Sequence, residues 1–151
     1  MLLAHSRPAL LFILIVLTGC AGPTPDINRE YVDRNQPASE VAIVRAMSAA
    51  IHKVDGKEVK HPDPAKYYKE IHLPPGQHTI TLYRWFGASV LLVPKGYFEV
   101  VSKPFSVNLK AAHVYDLHGD RTTGVIRVIL WIEDSATGEI IARQVDPQVL
   151  Q

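Results

Sequence analysis

The chain nearly lacks cysteine: Cys20 is the only one among 151 residues. An internal disulfide is therefore excluded, and a thiol exported to an oxidising compartment must be chemically occupied or paired between chains. Charge of one sign is lacking too, with 16 Lys and Arg against 15 Asp and Glu and no block of either. That leaves no concentrated positive footprint to neutralise phosphates, and no nucleic-acid partner is expected. No apolar run reaches the roughly 20 residues that a membrane-spanning helix requires. Beyond the first twenty residues no segment keeps a capped apolar period of about 3.6 residues, which argues against a helical body. Catalytic signatures are missing as well. Ser48, Ser89, Ser102, Ser106 and Ser135 stand outside any G-x-S-x-G elbow, and neither an HExxH pair nor a glycine-rich phosphate loop occurs. Neither enzymatic activity nor a cofactor is expected.

What is present begins at the N-terminus. Met1–Pro8 contains His5 and Arg7 without an acid, and Ala9–Leu17 is uninterruptedly apolar. A short basic region followed by an apolar stretch of this length is the layout of a secretory signal peptide, here over residues 1–19. Leu17-Thr18-Gly19-Cys20 resembles the lipobox of bacterial lipoproteins. That resemblance implies cleavage directly before Cys20 and a diacylglycerol on its sulfur, so that the membrane becomes a partner through acyl chains. Each buried methylene adds about 0.8 kcal/mol, and two or three chains make a lasting anchor. Ala21 stands where lipoproteins of this kind carry an aspartate when retained at the inner membrane. By that analogy the address is the outer membrane, facing the periplasm.

From Ala21 to Ser39, three prolines and mixed charges without an apolar period predict a flexible tether over residues 20–39. From Glu40 onward short alternating runs are separated by turn residues, which predicts a folded domain over 40–146 and a tail over 147–151. Asp55-Gly56 marks a tight hairpin, and Pro74-Pro75-Gly76 a second turn. Seven to nine short strands at this spacing predict an all-β, antiparallel β-sandwich. Alternation puts Ile80 and Leu82 on one face against Thr79, Thr81 and Tyr83, and nominates Val41, Ile43, Ile71, Leu73, Tyr115 and Leu117 among others for the core. The stretches "VDGKEV", "LPPGQHTITL", "FSVNLKAAHVYDL" and "WIEDSATGEII" together resemble small bacterial lipoproteins with a PEGA-like or transthyretin-like sandwich. The resemblance spans roughly Ala42 to Ala142 and implies the fold but no activity. Such relatives tend to carry a glycine before the histidine of the third stretch, where this chain has Ala112.

Two candidate sites follow. His78 and His113 stand at strand starts with inward parity and are expected at one rim of the sandwich. There they would serve either as a ligand- or metal-sensing pair or as turn holders bonded to carbonyls and carboxylates. No third ligand accompanies them at fixed spacing, so no metal is assigned. His52, His61, His72 and His118 have outward parity and are expected in solvent. The second candidate is "YRWFGASVLLVPKGYFEVV", Tyr83–Val101. Its Trp85, Phe86, Leu91, Leu92, Tyr97 and Phe98 either close an open end of the sandwich as a long hairpin or form an exposed patch that docks an envelope protein, a glycan or the membrane interface, the protein being the leading expectation. The expected function is that of a non-catalytic binding or assembly module.

Overall fold

Period-two alternation and turn residues at short intervals leave the backbone one way to satisfy its N–H and C=O groups, by pairing strands. A computed structural model describes residues 26–63, 65–87, 97–122, 127–145 and 148–150. Among these, twelve strands occur: β1 (Ile27–Asn28), β2 (Ala42–Ala46), β3 (Ala50–Val54), β4 (Lys57–Glu58), β5 (Glu70–Leu73), β6 (Gly76–Gly87), β7 (Tyr97–Val101), β8 (Phe105–Leu109), β9 (Val114–Thr122), β10 (Arg127–Asp134), β11 (Glu139–Val145) and β12 (Gln148–Leu150). They form two packed sheets. One runs β1-β5-β2-β9-β10-β11; the other runs β12-β7-β6-β3-β4, with β8 also on β6. The fold is the all-β sandwich that the alternation calls for. Pairing is antiparallel except that β1 runs parallel to β5 and β2 parallel to β9. No helix among the described residues is long and apolar enough to cross a membrane.

The strand count exceeds the expected range because β1, β7 and β12 leave no usable period. Two of them are too short for one, and β7 lies inside the aromatic run. The bounds of the domain change with them. Residues from Asp26 onward, expected in the tether, belong to the folded body: the Asp26 carbonyl accepts from Lys69 and Glu70, and Asn28 is buried. Arg29 Nε donates to His72 Nδ1 at 3.1 Å, while His72 Nε2 faces the Glu70 carboxylate. His72 is accordingly buried at 3% exposure, not in solvent as its parity suggested, because this N-terminal arm covers the outer side of β5. Lys57 pairs with Glu30 and fastens the arm to the second sheet. At the other end, part of the expected tail is β12, paired with β7.

The core lies between the sheets, filled from one side by Val44, Leu73, Tyr115, Leu117, Leu130 and Ile132 and from the other by Val54, Ile80, Leu82, Val100 and Leu109. In β2 the inward residues are Ala42 and Val44 rather than Ile43, which is only half-buried. Asp55 and Gly56 both take positive φ, 50° and 79°, as the two central residues of a primed hairpin turn do. Ala112 also sits at positive φ, 62°, in the turn that leads into β9. A Cβ in that region costs about 1–2 kcal/mol, part of which glycine's greater unfolded-state freedom offsets. Ala112→Gly is therefore expected to raise stability by about 1 kcal/mol, read as a higher urea midpoint at unchanged slope.

One pairing detail positions the site. β7 and β8 lie end to end along the same side of β6, covering Tyr83–Gly87 and Gly76–Ile80. Between them Ser102 Oγ accepts from the Leu82 N–H at 2.9 Å and Ser102 N–H donates to the Leu82 carbonyl. On its other side β6 has only β3, which reaches from Ile80 to Tyr83. Beyond Tyr83 that edge of β6 has no strand partner among the described residues.

Candidate functional site

The alternation of β6 sends Tyr83 and Trp85 to the outer face of the second sheet and Leu82 and Phe86 inward. Trp85 is 48% exposed, Phe86 only 7%. The patch expected from the sequence therefore divides. Phe86 belongs to the core, whereas Trp85 stands out on the surface. Tyr97 and Phe98 lie in β7 opposite Gly87 and Phe86, and Leu91 and Leu92 lie outside the described residues. The hairpin reading of this segment holds for its backbone, since β6 and β7 pair antiparallel.

Trp85 is held in place. Its indole N–H donates to Glu99 Oε2 at 3.2 Å, from the residue directly opposite on β7. The Tyr83 ring meets it edge-on at 5.7 Å, and His52 meets Tyr83 in turn at 6.0 Å. Burial pushes the Tyr83 hydroxyl up, with Glu99 and Tyr67 adding in the same direction. Two grooves flank the pair. One, of about 280 Å³, is lined by Ser48, Ala49, Ala50, Tyr67, Tyr83, Arg84 and Trp85. The other, of about 470 Å³, lies toward His52, Glu58, Lys60, His61, Lys66 and Glu99. A fixed, exposed aromatic between two concavities is a shape for insertion into a partner.

The rim histidines behave as turn holders. His78 Nδ1 lies 2.8 Å from Asp55 Oδ2 and its Nε2 lies 2.8 Å from the Pro74 carbonyl. Each ring nitrogen therefore already has a partner on its own turn. Burial pushes the Asp55 carboxyl up, but the Thr79 N–H and His78 outweigh it and hold the group below its ordinary value. His113 Nδ1 lies 2.6 Å from Asp134 Oδ2, on a different turn. The two imidazoles thus share no partner. No group of three His, Cys, Asp or Glu suited to a metal occurs among the described residues.

Elsewhere, on the outer face of the first sheet, Arg45 makes a two-pronged pair with Asp116 at 2.7 and 2.9 Å, and Ser135 donates to the same carboxylate. There burial raises the Asp116 carboxyl, and Arg45 and Ser135 together bring it below the ordinary range. His118 stacks on Trp131 at 4.9 Å. These contacts tie strands and turns together. Cys20 lies outside the described residues. One residue escaped the sequence reading altogether: Arg84, whose inward parity with Leu82 was the available signal. Comparison of the chain with family models, with curated proteins and with solved structures finds no match.

Proposed function

We propose that the chain is a lipid-anchored lipoprotein of the bacterial envelope. In this reading Cys20 tethers it to the outer membrane facing the periplasm, and the sandwich is a non-catalytic module that docks a protein partner through the Tyr83–Trp85 face. The observation that carries the docking is Trp85, 48% exposed yet fixed by Glu99 and Tyr83 between two grooves. Trp and Tyr are among the residues that dominate protein interfaces, and Tyr83 and Trp85 present both on the outer face of β6. The anchor is supported by the Leu17–Cys20 tetrad and the signal layout before it. The sensing alternative on His78 and His113 draws less support, because each imidazole is bonded to its own aspartate.

The test compares three versions of the full chain, cross-linked in envelope preparations. Trp85→Ala is expected to weaken partner capture by about 2 kcal/mol or more, roughly thirtyfold. Ile140→Ala, which removes an equally exposed apolar side chain on β11 of the other sheet, leaves capture unchanged. Cys20→Ala takes up no labelled palmitate. Full capture by Trp85→Ala would overturn the docking, and label on Cys20→Ala would overturn the anchor.

A further inference from the structure

Arg84 is a cation placed where a small domain has reason to put an aliphatic residue. Its stem runs against β9 so closely that a Cβ on Gly119 would lie 2.8 Å from Arg84 Cδ. Its guanidinium carbon sits 4.5 Å from the centre of the Phe86 ring. Burial pushes its pKa down, and Asp120 offsets this only in part, from beyond ion-pair distance. Phe86 and Asp120 are its neighbours of note: among the described residues no carboxylate, carbonyl or hydroxyl accepts a hydrogen bond from it. Its nitrogens are not among the buried unpartnered atoms of the described residues, so they reach water, and an incoming anion would replace water on donors that the fold leaves unused.

The groove of about 280 Å³ provides the room. Among the described residues Arg84 is the one charged residue in its lining, and the Lys69 ammonium lies 4.6 Å over the ring of Tyr67, a residue of that lining. The groove lies where β3 stops at Ala50 while β6 continues, so an extended chain entering it would meet a strand edge that has no partner among the described residues. That edge is the reason to favour a peptide over a free anion, since strand addition is a recurrent way for sheets to take up peptides. We propose that this cleft receives a carboxylate of an extended acidic segment in the protein partner, Arg84 gripping it with its fork and Trp85 packing the neighbouring apolar side chain. A planar guanidinium matches a carboxylate with two parallel hydrogen bonds. The inference rests on the docking reading and adds the chemistry that the partner must present.

The test uses the full chain in detergent micelles, followed by NMR at the Arg84 Nε–H and the Trp85 indole N–H. The probes are N-acetyl-phenylalanine, its uncharged amide, and inorganic phosphate. The acid is expected to move both signals together and to bind at least tenfold more tightly than the amide. Arg84→Gln abolishes that preference, and Arg84→Lys, which keeps the charge without the fork, retains part of it. Equal binding of acid and amide overturns the proposal. Phosphate moving Arg84 as strongly as the acid, with Trp85 unmoved, reveals a plain anion site and overturns it as well. If Trp85→Ala loses the partner while acid and amide bind alike, the docking stands and the carboxylate assignment falls. If the acid preference holds while Trp85→Ala keeps its partner, the docking reading falls and takes the peptide with it.

Discussion

Leu130→Ala is expected to lower the unfolding free energy by about 2–5 kcal/mol, the range for a large side chain removed from a core that cannot collapse around the gap. Leu130 is fully buried in the middle of β10 and stands opposite Gly119 of β9. The pair is a large residue over a vacancy: a Cβ on Gly119 would come within 2.7 Å of Leu130 Cδ2. A glycine partner has no side chain with which to refill the space, so the cavity persists. Against a total stability of about 5–15 kcal/mol for a domain of this kind, the loss is a large fraction of the whole. Urea unfolding followed by far-UV circular dichroism would show it as a midpoint shift at unchanged slope. A variant within about 1 kcal/mol of the parent would mean that the sheets close over the gap.

Asp134→Ala is expected to cost about 2–3 kcal/mol near neutral pH, because it strands several donors at once. Asp134 is 4% exposed. Its carboxylate accepts from His113 Nδ1 at 2.6 Å and from the Ala136 N–H at 3.0 Å. Burial pushes this carboxyl up, but His113 and the backbone N–H groups of the turn outweigh it and leave the group below the ordinary carboxylate range. The sign of the pH effect follows. A carboxyl lowered by folding contributes stability above its unfolded value, near 3.9, and that contribution is lost as pH falls through this value toward the lower folded one. Asp55 and Asp116 are lowered in the same way. The parent protein should therefore lose stability steeply on acidification below about pH 5, and Asp134→Ala less steeply. Thermal melts from pH 7 to pH 3 would measure both slopes; parallel curves would remove Asp134 from the account.

Most of the framework could be read from the chain because strands with one face buried alternate strictly. β6 and β9 follow that rule, and Ile80, Leu82, Tyr115 and Leu117 point inward as it requires. The Asp55-Gly56 turn was readable for a different reason, since few other pairs tolerate two successive positive φ values. Alternation has no purchase on contacts between distant segments. His72 looked solvent-facing from its own strand, and only the Arg29 arm laid across it changes that. Periodicity in β2 named Ile43, whereas the parallel neighbour β9 draws Val44 into the core. Of the aromatic candidates, Trp85 and Phe86 are adjacent and equally apolar; a patch drawn from hydropathy takes both, whereas the parity of Ile80 and Leu82 carried along β6 sends Phe86 inward and Trp85 outward. Arg84 shares the inward parity, but hydropathy does not nominate a charged residue for an inward position.

The N-terminal arm clamped along β5 changes the mechanics of the proposed anchoring. The fold holds the chain at Asp26, and six residues on from a lipid on Cys20, as proposed, the chain can reach about 20 Å at most. A leash that short does not let the molecule roam above the lipid. An anchor at Cys20 would moor the sandwich by one margin, the β1–β5 side, and so restrict how the protein can tilt. The lateral density of molecules in the leaflet, rather than their concentration in the surrounding fluid, would then govern how often a partner is met.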